Sequence, residues 1–509
     1  MKHYSIWLDK ARKQKDYPSL QGEGKCEVAV IGGGITGLST AYNLSQQGKN
    51  VTVLEASKIG NGSTGLSSCH LNTDIDTKYK NLYTDFDTEI IELVAESRVA
   101  GIQTIEDNIR REGIKCGFKR IPGFYYTDIQ EHAQDIEEEY EHLKKTILDV
   151  SIKENAPLPF ETYKAIKHEN QAWFNAQEYL HGLAEAIDKS GSKIYEHSRV
   201  IHIEEKDDYF IITTEEGKLK AEKLVLATHL PIFFNVLQTV SAPYRSYVVA
   251  ARVEKGSIPE GLFWDTAEPY HYIRSCHSES HDYLIVGGED HKTGHLENAH
   301  EQYAKLEHYV KSHFKVEEIE YKWSAQYYEP ADGLPYIGKS PFSKKTFVAT
   351  GFSGDGLVYG TIAARIIADL IAGKDNKWLY AYDASRFTPA ASAYDFIREN
   401  ADAAKHFIAD RVDNDETTAE LYSGEGKILE IDGEKLAVSR DESGELNAVS
   451  PVCTHLKCIV NWNKAEKSWD CPCHGSRFDG KGEIICGPAV KNLEKKKIPA
   501  EKLQNQFKK

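Results

Sequence analysis

The sequence predicts an α/β dinucleotide-binding domain, an antiparallel-sheet domain built into it, and a small all-β domain at the C-terminal end. Three observations support this fold class. A buried strand, a glycine-rich turn and a helix follow one another near the start of the chain. Strand-like runs with many tyrosines occupy 241–328, and short alternating runs with Asp-Gly and Ser-Gly turns begin at about 417.

A chain of 509 residues is long enough for about three domains. We expect the N-terminal extension, which is polar around Trp7, to drape over the first domain. The predicted boundaries are 1–24 for the extension, 25–118 with 160–240 and 330–372 for the dinucleotide-binding domain, 119–159 and 241–329 for the substrate domain, 373–416 for a charged linker, and 417–509 for the C-terminal domain.

Composition excludes several classes of partner. The net charge of −16 argues against nucleic acid or an anionic membrane surface. The most apolar helical stretch, 357–372, contains Arg365 and Asp369 and is too short to span a bilayer, so we expect no membrane insertion. The N-terminus lacks the apolar core of a signal peptide, and five of the nine cysteines are scattered. We therefore expect a cytoplasmic protein.

The first element is a dinucleotide-binding fingerprint. The strand-like run 27–31 leads into Gly32, Gly34 and Gly37 at GxGxxG spacing, and a second strand ends in Glu55. Gly32 allows the tight turn, Gly34 lets the backbone approach a pyrophosphate, and Gly37 permits close helix–strand packing. The helix N-terminus favours the phosphates, and Glu55 is expected to accept hydrogen bonds from ribose hydroxyls.

Further motifs distinguish FAD from NAD. The loop 60–65, the strand 223–228, the Asp-Gly-Leu-Pro element at 332–338 and the glycine-rich segment 347–356 follow in order. Together they resemble the D-amino-acid oxidase superfamily, which includes glycine and sarcosine oxidases. The resemblance implies FAD and adds these cofactor-binding residues: Ser63, Thr64, Val200, Ala227, Thr228, Gly351, Gly354 and Gly356.

The substrate side departs from that superfamily. Its substrate-binding arginine aligns with Tyr327, and its flavin-linking cysteine aligns with Ala325, so we predict non-covalent FAD and doubt ordinary amino-acid oxidation. A tether through Cys69 and the adjacent histidine is the alternative. Candidates for contact with a small-molecule substrate are Arg274, Tyr272 and Tyr327, although each tyrosine is more often part of sheet packing. No side chain stands out as a general base.

Two loops near the C-terminal end each offer one thiolate and one imidazole. They contain Cys453 with His455 and Cys471 with His474. On a [2Fe–2S] cluster, one iron can take both cysteines and the other both histidines. A structural zinc site is the alternative, because two cysteines and two histidines also suit zinc.

The strings CTHxxC and CPCHGS resemble the Rieske proteins of cytochrome bc complexes. The resemblance implies a disulfide between Cys458 and Cys473, and a loop over the cluster at 487–489. Ser476 keeps a hydroxyl that can donate to a bridging sulfide, whereas Phe478 replaces a tyrosine donor. One lost donor should lower the reduction potential.

The whole chain resembles bacterial FAD-dependent oxidoreductases with a C-terminal Rieske domain. This implies a dehydrogenase of an amine or another small substrate, in which FAD handles electron pairs and the cluster passes single electrons to an unidentified partner. We expect His455 and His474 to present an exposed edge for that exchange. Electron flow from cluster to FAD in a reductase, or a role as redox sensor or docking protein, are alternatives.

Overall fold

The computed structural model describes residues 2–12, 14–233, 235–295, 300–341, 343–386 and 421–497. They form a mostly parallel sheet with helices, a mostly antiparallel sheet, and two small C-terminal sheets, which confirms the predicted fold class. Most of the predicted linker, from 387 to 416, lies outside the described residues. No helix in the described part of the chain has the length and apolar character that crossing a membrane requires.

The helices are α1 (Ile6–Lys10), α2 (Ile35–Gln46), α3 (Tyr79–Asp85), α4 (Thr88–Glu112), α5 (Ala133–Leu143), α6 (Ala176–Lys189), α7 (His300–His313), α8 (Gly356–Ile371) and α9 (Leu379–Tyr382). The strands before the linker are β1 (Gly22–Ile31), β2 (Val51–Leu54), β3 (His70–Leu71), β4 (Lys119–Thr127), β5 (Val150–Lys153), β6 (Lys164–Trp173), β7 (Lys193–Tyr195), β8 (Val200–Glu205), β9 (Phe210–Thr214), β10 (Gly217–Leu226), β11 (Ser241–Val253), β12 (Leu262–Asp265), β13 (Tyr272–His277), β14 (Asp282–Lys292), β15 (Glu318–Pro330), β16 (Tyr336–Lys339) and β17 (Thr346–Thr350). Those after it are β18 (Gly426–Ile431), β19 (Glu434–Arg440), β20 (Leu446–Val449), β21 (Asn461–Asn463), β22 (Ser468–Asp470), β23 (Arg477–Asp479) and β24 (Ile484–Cys486).

The first sheet carries the dinucleotide fingerprint. Its order is β16-β17-β10-β1-β2-β7, with the hairpin β8–β9 added to β10. β1 is parallel to both neighbours, and Val28, Ala29 and Val30 in it are fully buried. Continuous apolar runs of this kind are typical of parallel strands covered on both faces. Helix α2 packs on α8, where a Cβ on Gly360 would lie 2.7 Å from Thr36 Oγ1.

The second sheet has the order β15-β11-β14-β13-β12-β4-β6-β3, with β5 paired to β6. Its pairs are antiparallel except for β4 with β12. The predicted boundary at 160 needs a correction, because β6 is hydrogen bonded to β4 along most of its length. The segment from 160 to 173 therefore joins the second sheet instead of the dinucleotide-binding sheet.

Both flanking segments are anchored to the first domain where they are described. Trp7 is buried and its indole N–H donates to the carbonyl of Ser67 at 2.8 Å. At the start of the predicted linker, Arg386 forms a bidentate pair with Asp332, with N–O distances of 2.6 and 2.8 Å. The C-terminal residues then form the sheets β18-β19-β20 and β21-β22-β23-β24.

Candidate active site and cluster-binding loops

The turn between β1 and α2 needs glycine at two positions. Gly32 has φ of +112°, and a Cβ there would lie 2.4 Å from the carbonyl oxygen of Ala227. A Cβ on Gly37 would lie 1.9 Å from the carbonyl oxygen of Gly32. The chain can therefore pass from strand to helix in this narrow space only with glycine.

Glu55 directly follows the last residue of β2 and lies next to this turn. Its carboxylate accepts hydrogen bonds from the backbone N–H groups of Gly33 and Ser57, at 2.7 and 2.8 Å. Burial raises the pKa of Glu55 although these donors oppose the shift. The carboxylate is thus fixed at the edge of the cavity where the predicted ribose contact would form.

A cavity of about 880 Å³ extends from this turn to the space between the two large sheets. Ten of the twelve predicted cofactor-binding residues line it: Gly32, Gly34, Glu55, Ser63, Thr64, Val200, Ala227, Thr228, Gly354 and Gly356. Gly37 and Gly351 lie outside its lining and shape the turns, with Gly351 at φ of +73°. The glycine turn, the fixed Glu55 carboxylate and the cavity fit FAD, and these lining residues would hold it.

The two residues of the possible covalent link to flavin are placed differently. His70 lines the cavity, whereas Cys69 is fully buried and does not. The Cys69 sulfur lies 3.5 Å from Ser67 Oγ, and burial raises the pKa of the thiol. Non-covalent FAD remains a prediction that this placement supports.

The structure corrects the assignment of Arg274. The side chain is buried outside the cavity lining, and its guanidinium donates to the carbonyls of Ser68, Cys69 and Ser275 at 2.9 to 3.3 Å. It also lies 4.8 Å from the ring centre of Trp173. Arg274 therefore holds the sheet together and is not placed to bind a substrate. Tyr272 and Tyr327, the other two candidates, do line the cavity.

Sequence reasoning missed four aspartates in this region: Asp74, Asp76 and Asp355 line the cavity, and Asp290 is hydrogen bonded to the lining residue Tyr327. Tyr327 donates to Asp290 at 2.8 Å, and Asp76 accepts from the N–H of Gly354 at 2.5 Å. Asp355 pairs with Arg98, and Asp74 pairs with Lys78, both at 2.7 Å. The alternating acids of the segment 72–76 were a visible signal, whereas Asp290 becomes recognisable only through its strand pairing.

The cluster-binding loops converge as predicted. Cys453 and Cys471 are buried, with their thiols hydrogen bonded to each other, and the rings of His455 and His474 are 5.1 Å apart. In the described part of the chain, His455 Nε2 and His474 Nδ1 are buried without a hydrogen-bond partner. Two thiols and two imidazoles with open nitrogens fit the mixed ligation of a Rieske cluster.

The predicted disulfide ties these loops together. Cys458 and Cys473 are bonded, and their sulfurs lie within 4.8 Å of the Cys471 sulfur. Ser476 is buried and accepts a hydrogen bond from the N–H of Ala489 at 3.0 Å. Phe478 is fully buried, so the lower reduction potential expected from its missing hydroxyl stays a prediction.

Strand β15 lies between part of the cavity and the cluster-binding loops. Its alternate side chains face opposite sides, because side chains in a strand have a period of two. Ala325, Gln326 and Tyr327 belong to the cavity lining, and the Gln326 side chain donates to the carbonyl of Gly475 at 2.9 Å. Tyr328 donates to the carbonyl of His474 at 3.3 Å. The C-terminal domain also reaches the cavity directly, because its lining includes Ile485, Cys486, Gly487, Ala489 and Val490.

This contact changes one expectation about the histidines. His474 is only 9% exposed, and His455 is hydrogen bonded to the backbone of Phe233, so the histidine edge faces the first domain instead of lying open. The carbonyl of Gln326 also accepts from Ser63, which lines the cavity, at 3.1 Å. Ser63 and Gln326 thus connect the cofactor cavity to the cluster-binding loop.

An ion-pair network holds the C-terminal domain in this position. Glu466 lies 3.3 Å from Arg245 and 3.6 Å from Arg477, and it accepts hydrogen bonds from Ser324 and Tyr303 at 2.7 and 3.1 Å. Burial alone would raise the pKa of Glu466, but the two arginines outweigh it and the pKa is lowered.

Comparisons with known proteins agree with both parts. A family model described as FAD dependent oxidoreductase matches 27–370, and one described as Rieske [2Fe-2S] domain matches 415–499. The chain is 32% identical over 482 residues to the putative Rieske 2Fe-2S iron-sulfur protein YhfW of Bacillus subtilis strain 168, covering 94% of each chain.

Two more distant similarities cover the first part of the chain. Gamma-glutamylputrescine oxidoreductase of Escherichia coli K12 is 22% identical over 76% of this chain and 91% of its own. The crystal structure of glycine oxidase from Geobacillus kaustophilus superposes with a TM-score of 0.61 at 19% identity, over 72% of this chain and 99% of that one. At this identity the likeness to glycine oxidase establishes the fold alone.

Proposed function

Since the chain belongs to the FAD dependent oxidoreductase family and carries a Rieske [2Fe-2S] domain, we propose that it is a dehydrogenase that oxidises a small amine and delivers the electrons singly to an external partner. When bound, FAD supplies two-electron chemistry and the cluster supplies one-electron chemistry. An oxidase that uses oxygen directly would not need the second centre.

The observation that carries this proposal is the contact across β15. Ser63 lines the cavity and donates to the carbonyl of Gln326, whose side chain donates to Gly475 next to His474. Gln326 is 4% exposed, so water is excluded from this contact. This contact supports the proposal because it would hold two bound centres in a fixed relation, and fusion keeps the local concentration of the second centre at roughly millimolar.

Similarity to other proteins supports the amine as substrate class. Gamma-glutamylputrescine oxidoreductase is among the relatives. At the position where the D-amino-acid oxidase superfamily binds a carboxylate with arginine, this chain has Tyr327, hydrogen bonded to Asp290. A cavity with this wall favours an amine over an amino acid.

An anaerobic substrate screen with the holoprotein tests the proposal. We expect an amine to bleach the flavin absorbance and then to produce the electron paramagnetic resonance signal of the reduced cluster. In Gln326→Leu, the first change should keep its rate and the second should slow severalfold. Gln302→Leu is the matched control, because this buried glutamine donates to the carbonyl of Glu289 away from the domain contact.

Two outcomes would contradict the proposed direction. If the photoreduced flavin fails to reduce the cluster within a turnover time, a sensing or docking role replaces electron transfer. If the reduced cluster transfers electrons to the flavin, and no amine reduces the flavin, the protein is a reductase.

The ligand assignment has its own test. A His455→Cys variant should have a much lower reduction potential, moving toward the ~ −400 mV of all-cysteine plant-type clusters. An unchanged redox titration would rule out His455 as a ligand.

A further inference from the structure

The substrate side of the cavity carries unbalanced negative charge. Its lining includes Asp74, Asp76 and Asp355 together with Lys78 and Lys80. Both lysines are already paired: Lys78 lies 2.7 Å from Asp74, and Lys80 lies 3.1 Å from Asp135. Asp355 forms an ion pair with Arg98, whose side chain is fully buried. Within the described residues, these pairs leave neither lysine free for an acidic substrate, and the arginine of the lining, Arg199, lies next to Val200 on the cofactor side.

Two carboxylates are left without a cationic partner in the described part of the chain. Asp76 accepts from the N–H of Gly354, and Asp290 accepts from Tyr327. Neither has a lysine, arginine or histidine nitrogen within 4 Å, whereas Asp74 and Asp355 both do. Asp290 Oδ1 is buried without a hydrogen-bond partner, and so is Oδ1 of Asp74, a residue that is 1% exposed and lines the cavity.

Tyrosine rings stand between these two carboxylates. A Cβ on Gly354 would lie 2.8 Å from Asp76 Oδ2 and 3.1 Å from the hydroxyl of Tyr270, so both oxygens meet at the turn beside the flavin position. The rings of Tyr270 and Tyr272 are 5.9 Å apart, and Tyr272 lies 3.0 Å from Ser246 Oγ. Aromatic faces next to carboxylates attract ammonium groups and pack against methylene chains.

Resting on the proposed function, we infer that the substrate is an amine with a second cationic group and no carboxylate, held by Asp76 and Asp290 with Tyr270, Tyr272 and Tyr327 as the aromatic wall. An ammonium group would satisfy the open carboxylate oxygens. A carboxylate in the same place would face two further carboxyl groups and no cationic partner within 4 Å of either.

The charge state of Asp290 agrees with this geometry. Burial raises its pKa to about 7, although hydrogen bonds from Ser246 and Tyr327 oppose the shift. The charge of Asp76 raises the pKa further, and the charge of His271 lowers it. Two carboxylates in one site repel each other when both are ionised, and a bound cation relieves that repulsion. Amine binding should therefore tighten as the pH rises through about 7.

Three probes of equal chain length test the inference on the oxidised holoprotein under anaerobic conditions. Butane-1,4-diamine ends in a positive group, butylamine in a neutral one and 4-aminobutanoate in a negative one. Dissociation constants come from how the initial perturbation of the flavin spectrum depends on probe concentration, recorded by rapid mixing before the flavin is reduced. We expect the diamine to bind more tightly than butylamine, and 4-aminobutanoate to bind least.

Removing one charge should weaken the diamine selectively. Asp290→Asn keeps the shape and should raise its dissociation constant ~10-fold or more, the loss for one hydrogen bond to a charged group. Asp76→Asn should do the same, and either variant suffices if the other does not fold. Asp188→Asn, on α6 and paired with Lys15 at 2.6 Å, is the control and should change nothing.

Equal affinity for the three probes, or unchanged diamine binding in Asp290→Asn, would overturn the inference. Its failure differs from that of the proposed function. If an amino acid reduces both centres and the diamine does not bind, the dehydrogenase function is supported and the cation-binding site is contradicted. If the diamine binds with the expected selectivity but never reduces the cluster, the cation-binding site is supported and the electron-transfer proposal is contradicted.

Discussion

Half-buried carboxylates lie on both sides of the strands β11 and β15, and their surroundings are opposite. On the C-terminal side, Glu466 has two arginines within 4 Å and two hydroxyl donors. On the cavity side, Asp290 accepts from the hydroxyls of Tyr327 and Ser246, and among the described residues no cationic nitrogen lies within 4 Å of it. The pKa of Glu466 is lowered, whereas that of Asp290 is raised to about 7.

The difference follows from how long each contact lasts. A domain contact that persists can enclose its counter-ions, because a buried charge is tolerated only when it is paired. A substrate site must supply a charge whose partner comes and goes. Strand β15 contributes to both sites, because Ser324 donates to Glu466 and Tyr327, three residues later, donates to Asp290.

The largest expected effect breaks the paired side. Arg477 lies 2.9 Å from Asp470 and 3.6 Å from Glu466, and all three are largely buried. Arg477→Met leaves two buried carboxylates short of a partner and should cost ~3–5 kcal/mol of stability in the C-terminal domain. Denaturant unfolding followed by loss of the cluster absorbance measures it.

The control for this variant is Lys481→Met. Lys481 is 53% exposed and lies 3.9 Å from Glu445, so removing this surface pair should cost about 1 kcal/mol or less. Equal losses in the two variants would mean that the buried network is not what holds the domain.

The second prediction uses pH to separate the two sides. Folded Asp290 keeps its proton up to about pH 7, whereas the unfolded chain loses it near 4. The folded state therefore binds more protons between these values, and stability falls as the pH rises through this window, by at most ~1.4 kcal/mol per pH unit. Glu466 has a lowered pKa and acts in the opposite direction, losing its contribution as the pH falls below about 4.

Melting temperatures of ligand-free holoprotein between pH 4.5 and 8 measure this. Asp290→Asn should gain stability over the parent protein, with a difference that grows up to about pH 7 and then stays constant. Glu466→Gln should lose stability across the whole range. A pH-independent difference for Asp290→Asn would show that its carboxyl is ionised throughout.

How much the sequence could predict also differs between the two sides. The candidate cluster ligands and the glycine turn are visible in the sequence because each depends on residues a few positions apart, such as Cys453 with His455. FAD and the Rieske cluster are confirmed by the family matches. Local spacing is enough where the backbone itself forms the site.

The cavity wall could not be read in the same way. Asp290 meets Tyr327 through strand pairing across 37 positions, and Gln326 meets Gly475 across 149. Arg274 was chosen because cations often bind substrates, but it is buried among backbone carbonyls. Strand alternation would have placed Tyr327 and Tyr328 on opposite sides only once the position of the C-terminal domain was known.

The smallest expected effect sharpens the comparison within one dipeptide. Tyr327 donates to Asp290 on the cavity side, and Tyr328 donates to the carbonyl of His474 on the other. Each change to phenylalanine removes one hydroxyl donor and should cost about 1 kcal/mol. Tyr328→Phe should loosen the cluster-binding loop, seen as a lower midpoint of cluster loss in denaturant, without changing diamine binding. Tyr327→Phe should weaken diamine binding and leave that midpoint unchanged. If both variants altered both readouts, β15 would not separate the two sites, and the opposite pairing of Glu466 and Asp290 would have no functional meaning.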